Sequence, residues 1–489
     1  MTRKRLALAA AIMGSFVAGL DATVVNVALP AIRADLGGGL AGQQWVSNAY
    51  LLTLGSLILV AGSLGDLYGE RRIFSLGVGG FGVVSVLCAV APSIEVLVVG
   101  RALQGVFGAL LTPSALAVIV AAFPPAERGG AIGSWTAWSG IAFVIGPLAG
   151  GWLVDAASWR WIFAVNVPFV VITLVLVSMA VPRRSGARRQ VRLDWLGAFL
   201  TVFGLAGPVL ALINPSIWFA GPIGVALLLV FLWHERRVEE PMLPLELFAR
   251  RNFLFGNVQT FAMYGGLGAL FFLLTLFLQQ VAGYEALQAG LAQIPTTLVM
   301  FLLSKRFGRM ADRFGPRFFM GCGPLIGAAG IFLMLRLDAE FSYWTELLPA
   351  LVLFSLGLVA TVTPLTATVL ADADESNAGI ASAVNNAIAR VASLLCIAAI
   401  GAVVAAAYSA RTDAGATLEV VPGVPASLDA SVHAFHVGVG LCGALVALGG
   451  VLGLAGIRNP RREIHCADCA AGAPAISSPL GGETAATTR

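Results

Sequence analysis

Charge is the scarcest property of this chain: Asp, Glu, Lys and Arg make up 11% of 489 residues, against roughly a quarter in ordinary soluble domains. With 58% hydrophobic residues beside it, such a chain cannot present water with a soluble surface over most of its area. Lysine is nearly missing, since Lys4 and Lys305 are the only two among thirty basic residues. The net charge of +4 is small and segregated into turns, which argues against a nucleic-acid partner. Cysteine is sparse too. Cys88, Cys322, Cys396 and Cys442 fall inside apolar runs and Cys466 and Cys469 near the end, so no disulfide framework is implied. No G-x-x-x-x-G-K-[ST] loop and no nucleophile–base arrangement occurs. ATP-driven work and enzyme chemistry therefore have no sequence support, and no cofactor is expected.

What is present is a series of long uncharged windows separated by short charged turns, and about 20 apolar residues are what a bilayer core requires. The pattern predicts an all-α integral membrane protein with fourteen helices, at 6–30, 44–64, 73–91, 95–122, 131–154, 160–181, 194–213, 216–234, 254–279, 286–304, 318–336, 344–369, 378–407 and 432–457. The first apolar run follows Met1-Thr-Arg-Lys-Arg5 and continues past Asp21 to Pro30 without a cleavage site, so it reads as a retained helix rather than a signal peptide. Placing the N-terminus in the cytoplasm puts 24 of the 30 basic residues inside and only Arg33, Arg160, Arg336 and Arg411 outside. That bias sets the orientation, with both termini cytoplasmic.

The stretch Gly62-Ser-Leu-Gly-Asp66-Leu-Tyr-Gly69-Glu-Arg71 recurs as Gly308-Arg-Met-Ala-Asp312-Arg-Phe-Gly315-Pro-Arg317. The copies lie 246 residues apart, half of the chain, and internal duplication is how secondary transporters build two halves around a midplane site. Six helices in each half leave two over. The expected division is 1–181 for the first bundle, 182–252 for a linker carrying two inserted helices, 253–457 for the second bundle and 458–489 for a disordered tail. In that tail His465-Cys466-Ala-Asp-Cys469 offers soft ligands, but one cluster in a disordered segment assigns no metal.

Three intramembrane features carry chemistry. Asp21 lies about 22 Å along the first helix from Leu6, near the middle of the bilayer. A carboxyl there needs a partner or a proton and is functional by default. Arg101, in Arg101-Ala-Leu-Gln104-Gly105, is the obvious counter-charge in the first half. In helix five, Ala142-Phe-Val-Ile-Gly146-Pro147-Leu-Ala-Gly150-Gly151 combines a bend at Pro147 with glycines that admit a close neighbour. Asn26, Gln104, Asn385, Asn386 and Arg390 are the polar groups expected to face a substrate cavity. The threonines around Pro364 form a second set, while Gln259, Tyr264, Gln279 and Gln280 are weaker candidates.

The duplicated G-x-x-x-D-x-x-G-x-R turn resembles that of the major facilitator superfamily, and the helix-five run resembles the "antiporter motif" of its exporters, with Ala142 in place of the first Gly. The Asp21–Pro30 run D-x-T-x-x-N-x-A-L-P, Arg101–Gly105, Trp159–Pro168, Asp194-Trp-Leu-Gly197 and Ala378–Arg390 are similar to those of the fourteen-helix drug:proton antiporters of EmrB/QacA type. The resemblance implies the major facilitator fold in a bacterial inner membrane, exporting a small amphipathic molecule against an inward flow of protons. It makes Asp66, Arg71, Asp312 and Arg317 candidates for a conformational latch, Asp21 and Arg101 for proton coupling, and Gly146, Pro147, Gly150 and Gly151 for the antiporter motif. The expected unit is a monomer, with or without an adaptor protein. An uptake symporter would share the helix count but not the helix-five run, and a non-transporting sensor would need no proton site.

Overall fold

A computed structural model describes residues 3–181, 193–238, 241–371, 378–412 and 426–459. A few side chains within its helices, including those of Asp66, Asp312 and Thr366, lie outside the described set, as do the Arg-rich connection 183–192 and the His465–Cys469 cluster. The elements are α1 (Arg3–Leu36), α2 (Gly39–Tyr68), α3 (Glu70–Ala89), α4 (Ile94–Ala122), α5 (Pro125–Ala156), α6 (Trp161–Ala164), α7 (Asn166–Ala180), α8 (Trp195–Ile213) and α9 (Ala220–Glu235). They continue with α10 (Arg251–Leu276), α11 (Ala286–Ala292), α12 (Ile294–Phe314), α13 (Pro316–Leu333), α14 (Leu348–Ala371), α15 (Ala378–Ser409) and α16 (Ala426–Gly456). No strand occurs among the described residues. Hydrocarbon offers the backbone no partner, so each apolar window satisfies its own N–H and C=O groups as a helix.

Among the described residues, twelve helices are long and apolar enough to cross a membrane, where fourteen were expected. The two that fall outside this count are α5, several of whose side chains are undescribed, and α9, an apolar helix of 16 residues. The expected helix at 160–181 is interrupted at Val165, where a turn separates α6 from α7.

The two halves repeat one packing scheme. In the first, α1 packs on α5 and α7, α3 on α4 and α7, and α2 on α4. In the second, α10 packs on α15 and α16, α13 on α14 and α16, and α12 on α14. Between them α2 packs on α15 and α5 on α11, two crossings related by the same repeat. The α8–α9 hairpin lies beside this seam, with α8 against both α2 and α15. Asp194 closes the hairpin by accepting from the Gly197 backbone N–H at 2.8 Å and meeting His234 Nε2 at 2.9 Å.

The duplicated turns are duplicates in geometry as well. Gly69 and Gly315 adopt φ of 91° and 87°, a region open to glycine at little cost, and each leads into the next helix. The Arg71 guanidinium donates to the carbonyls of Val181 and Ser178 at the end of α7, while Arg317 Nε donates to Leu454 O near the end of α16 at 2.9 Å. Helix C-termini leave carbonyls without intrahelical donors and carry a partial negative charge. Each arginine therefore pins the last helix of its own half.

Candidate functional site

Asp21 and Arg101 meet inside the first half. Arg101 Nη1 lies 2.5 Å from Asp21 Oδ2, and the two residues are 0% and 1% exposed. Local sequence explains the meeting. Arg101 and Gln104, three positions apart, share one face of α4, while Gly105 lets α4 approach α2 so closely that a Cβ there would strike Thr53 and the Tyr50 carbonyl.

Gln104 was expected on the cavity wall, yet the structure places it within this network. Its Oε1 accepts from Arg101 Nη1 at 2.7 Å, and its Nε2 donates to Ser85 Oγ at 2.9 Å and to Asp21 Oδ1 at 3.3 Å. Asn166 Nδ2 donates to the same Oδ1 at 3.1 Å from the first turn of α7. Arg101 also donates through Nε to Val46 O at 3.1 Å, and its guanidinium stacks 4.4 Å from the centroid of the Tyr50 ring. The carboxylate thus receives one charged and two neutral donors, the arrangement a buried anion requires. Sequence reading missed Ser85, Tyr50 and the role of Asn166. Ser85, the polar residue of an apolar stretch of α3, was the available signal.

The other predicted cavity residues separate. Asn385 Nδ2 bonds Asn257 Oδ1 at 3.0 Å and Thr260 Oγ1 at 2.7 Å, which ties α15 to α10 within the second half. Asn26 accepts from Ser47 Oγ at 3.5 Å between α1 and α2. Gln259 and Thr361 bond backbone carbonyls, Gln279 reaches Val27 O at 2.9 Å, and Gln280 meets Arg33. Asn386 and Arg390 do line a cavity, of about 160 Å³, with Tyr50, Ser15, Thr112 and Trp135 from the first half. A larger space of about 480 Å³, lined by Asp338, Arg411, Asp429 and His436, shares no residue with that site.

A buried charge network in one half thus lies beside a cavity lined from both. The family model described as "Major Facilitator Superfamily" matches residues 11–397. The chain belongs to that superfamily. It is a transporter rather than an enzyme. The puromycin resistance protein pur8 of Streptomyces alboniger is 36% identical over 448 residues, covering 88% of this chain and 87% of that protein. The tetracenomycin C resistance and export protein of Streptomyces glaucescens is 33% identical, over 81% of this chain and 75% of its own. Among solved structures, a bacterial homologue of the human lysosomal transporter Spinster superimposes with a TM-score of 0.67 at 16% identity, covering 93% of this chain and 96% of that one. That likeness shows the fold.

In this facilitator the glycines of helix five have specific partners. A Cβ at Gly146 would meet Thr23, one at Gly150 would meet Val24, and one at Gly151 would meet the backbone of Ala286 and Leu287. Gly290 of α11 answers from the other side, where a Cβ would strike the Pro147 carbonyl. One stripe of α5 therefore seats on α1 and the next on α11, across the seam. Asp155, a turn further on, accepts from the N–H groups of Ala286 at 3.2 Å and Leu287 at 2.8 Å, capping α11 from the opposite half. Nearby, Asp35 holds Arg160 at 2.5 Å and the Trp159 indole at 3.0 Å. These bonds fasten the end of the bundle away from Arg3. Substituting Asp155→Ala removes one N-terminal cap, an effect of about 1 kcal/mol. It is expected to raise the rate at which an impermeant maleimide labels a Leu287→Cys reporter by about fivefold, and an unchanged rate would show that Asp155 does not hold this contact.

Proposed function

We propose that this facilitator exports amphipathic drugs or antibiotics in exchange for protons, with Asp21 carrying the proton. The observation that carries the reading is the Asp21 carboxylate, 0% exposed and held by Arg101, Gln104 and Asn166, with Tyr50 touching both this network and the shared cavity. Neutralising Asp21 removes the counter-charge of Arg101, so the two protonation states favour different packings of α1 against α4. A proton crossing 100 mV contributes about 2.3 kcal/mol from voltage, enough to shift a two-state equilibrium roughly fiftyfold. The names of the relatives, which include resistance to puromycin and resistance to and export of tetracenomycin C, support export of antibiotics.

The same reading restores fourteen spans. Helix α5 carries no charged residue from Gly129 to Val154, and its 32 residues extend about 48 Å. Helix α9 pairs with α8 as a hairpin. With both crossing, the bundles at 1–181 and 253–457 flank an inserted pair, Arg3 and Gly456 share one face, and the arginine bias makes that face cytoplasmic. The α5–α11 contact then closes the outer side, and the turns at Asp66–Arg71 and Asp312–Arg317 act as latches on the inner one.

The test is resistance. Expression in an efflux-deficient bacterial host is expected to raise the inhibitory concentration of puromycin or of aromatic polyketide antibiotics at least about fourfold, with the gain abolished by an uncoupler. Resistance that persists with the proton gradient collapsed would remove proton coupling. No protection across such a panel would point to a narrow endogenous substrate.

A further inference from the structure

Among the described residues that line the cavity shared by the two halves, one side chain is charged, Arg390, and none is a carboxylate. Arg390 forms no hydrogen bond or ion pair among the described residues, whereas Arg101 is held by a carboxylate, an amide and a carbonyl. Its position is dictated by packing. A Cβ at Gly55 would lie 3.2 Å from Arg390 Cβ, so α2 and α15 cross there at close range and the guanidinium has the cavity to occupy. The other polar groups lining the space are the amide of Asn386 and the hydroxyls of Tyr50, Thr112 and Ser15, all able to donate. Ser15 is engaged by the Trp135 indole N–H at 2.8 Å, which orients that ring system in the cavity wall. Leu54, Ile58 and Ala18 complete an apolar surround.

We propose that this cavity takes anionic aromatic amphiphiles, with Arg390 as the group that pairs their carboxylate, phenolate or sulfonate. The inference rests on the export reading and names its substrate class. An unpaired guanidinium at membrane depth calls for an anion, and its planar fork matches a carboxylate in two hydrogen bonds at once. Cationic amphiphiles meet like charge at Arg390 and find no acid to offset it, because Asp21 is enclosed by its own donors. At about 160 Å³ the space is smaller than a typical drug-sized pocket of about 300–1,000 Å³. It therefore holds the acidic head and first ring in this state, with the remainder extending along the seam. Exchange of such an anion for an entering proton moves charge in the sense that an inside-negative potential drives.

Three probes that share one ring system and differ in head group test this: 9-anthracenecarboxylate, its primary amide, and (9-anthracenylmethyl)trimethylammonium. Binding to the full-length protein in lipid nanodiscs is measured by calorimetric titration without a proton gradient. The carboxylate is expected to bind at least about tenfold more tightly than the amide, and the cation most weakly. In Arg390→Gln the carboxylate should fall to the affinity of the amide. The amide itself should be unchanged within about twofold, which shows that the variant is folded, and Arg390→Lys should keep part of the preference. Equal binding of carboxylate and amide, tightest binding of the cation, a preference that survives Arg390→Gln, or no binding of any probe would each overturn the assignment. None of these results bears on the resistance assay, so the failure of the substrate class and the failure of the export reading are told apart.

Discussion

Replacing Asp21 by Asn is expected to abolish proton-driven export, lowering its rate at least about a hundredfold, and to destabilise the first half. Arg101 would keep its bonds to Val46 O and Gln104 but lose the only carboxylate within ion-pair reach among the described residues. Breaking a buried pair by removing one partner costs about 3–5 kcal/mol, because the remaining charge is left uncompensated. Loss of transport alone would not separate a proton carrier from a packing element, so the double variant Asp21→Asn/Arg101→Gln is decisive. It should recover much of the thermal stability, since neither charge is then buried, yet still fail to couple export to a proton gradient. If the double variant exports normally, Asp21 only fixes packing, and the proton site lies elsewhere.

The second large effect is expected at Gly151. A leucine there would drive its Cβ into the backbone of Ala286 and Leu287, where no side chain can move aside. Overpacking costs about 1–3 kcal/mol, and the seam between the halves gives more readily than the interior of either, so the strain should open the α5–α11 contact. Spin labels at the exposed positions Ala157 and Leu291 are expected to report longer distances in Gly151→Leu than in the parent, with export reduced at least about tenfold. A substitution at Gly150 makes the contrast. Its Cβ would meet Val24 of α1, within the same half, so Gly150→Leu should lower thermal stability while leaving that distance unchanged. Equal effects of the two variants on the distance would mean that the seam is not specifically read by Gly151.

Much of this was legible in the chain because it is local. The two G-x-x-x-D-x-x-G-x-R turns announced a repeat, and Gly69 and Gly315 realise it with matching positive φ, a conformation written in residue type alone. The scarcity of charge and the length of the apolar windows follow from the bilayer, which accepts little else. Asp21 and Arg101 could be matched across 80 positions because an acid and a base in hydrocarbon have few alternatives.

Other assignments needed the packing. Gln104 and Asn385 looked equally suited to a cavity, since both are polar groups on apolar helices. One turned into the Asp21 network and the other toward α10, and Asn386 alone of the adjacent pair lines the shared space. A helical face is set by neighbours that come from distant sequence, and periodicity cannot say which helix lies opposite. Ser85 and Tyr50 carry no motif, and only the meeting of α2, α3 and α4 gives them a role. By itself the sequence determined the membrane class, the duplicated halves and the pairing of the two intramembrane charges, because burial of charge in lipid admits so few solutions. The tertiary structure alone decided which polar groups enclose that pair, which glycine faces the opposite half, and that Arg390 stands in the cavity with no carboxylate among its described lining residues, because each depends on which two helices approach closely enough to exclude everything between them.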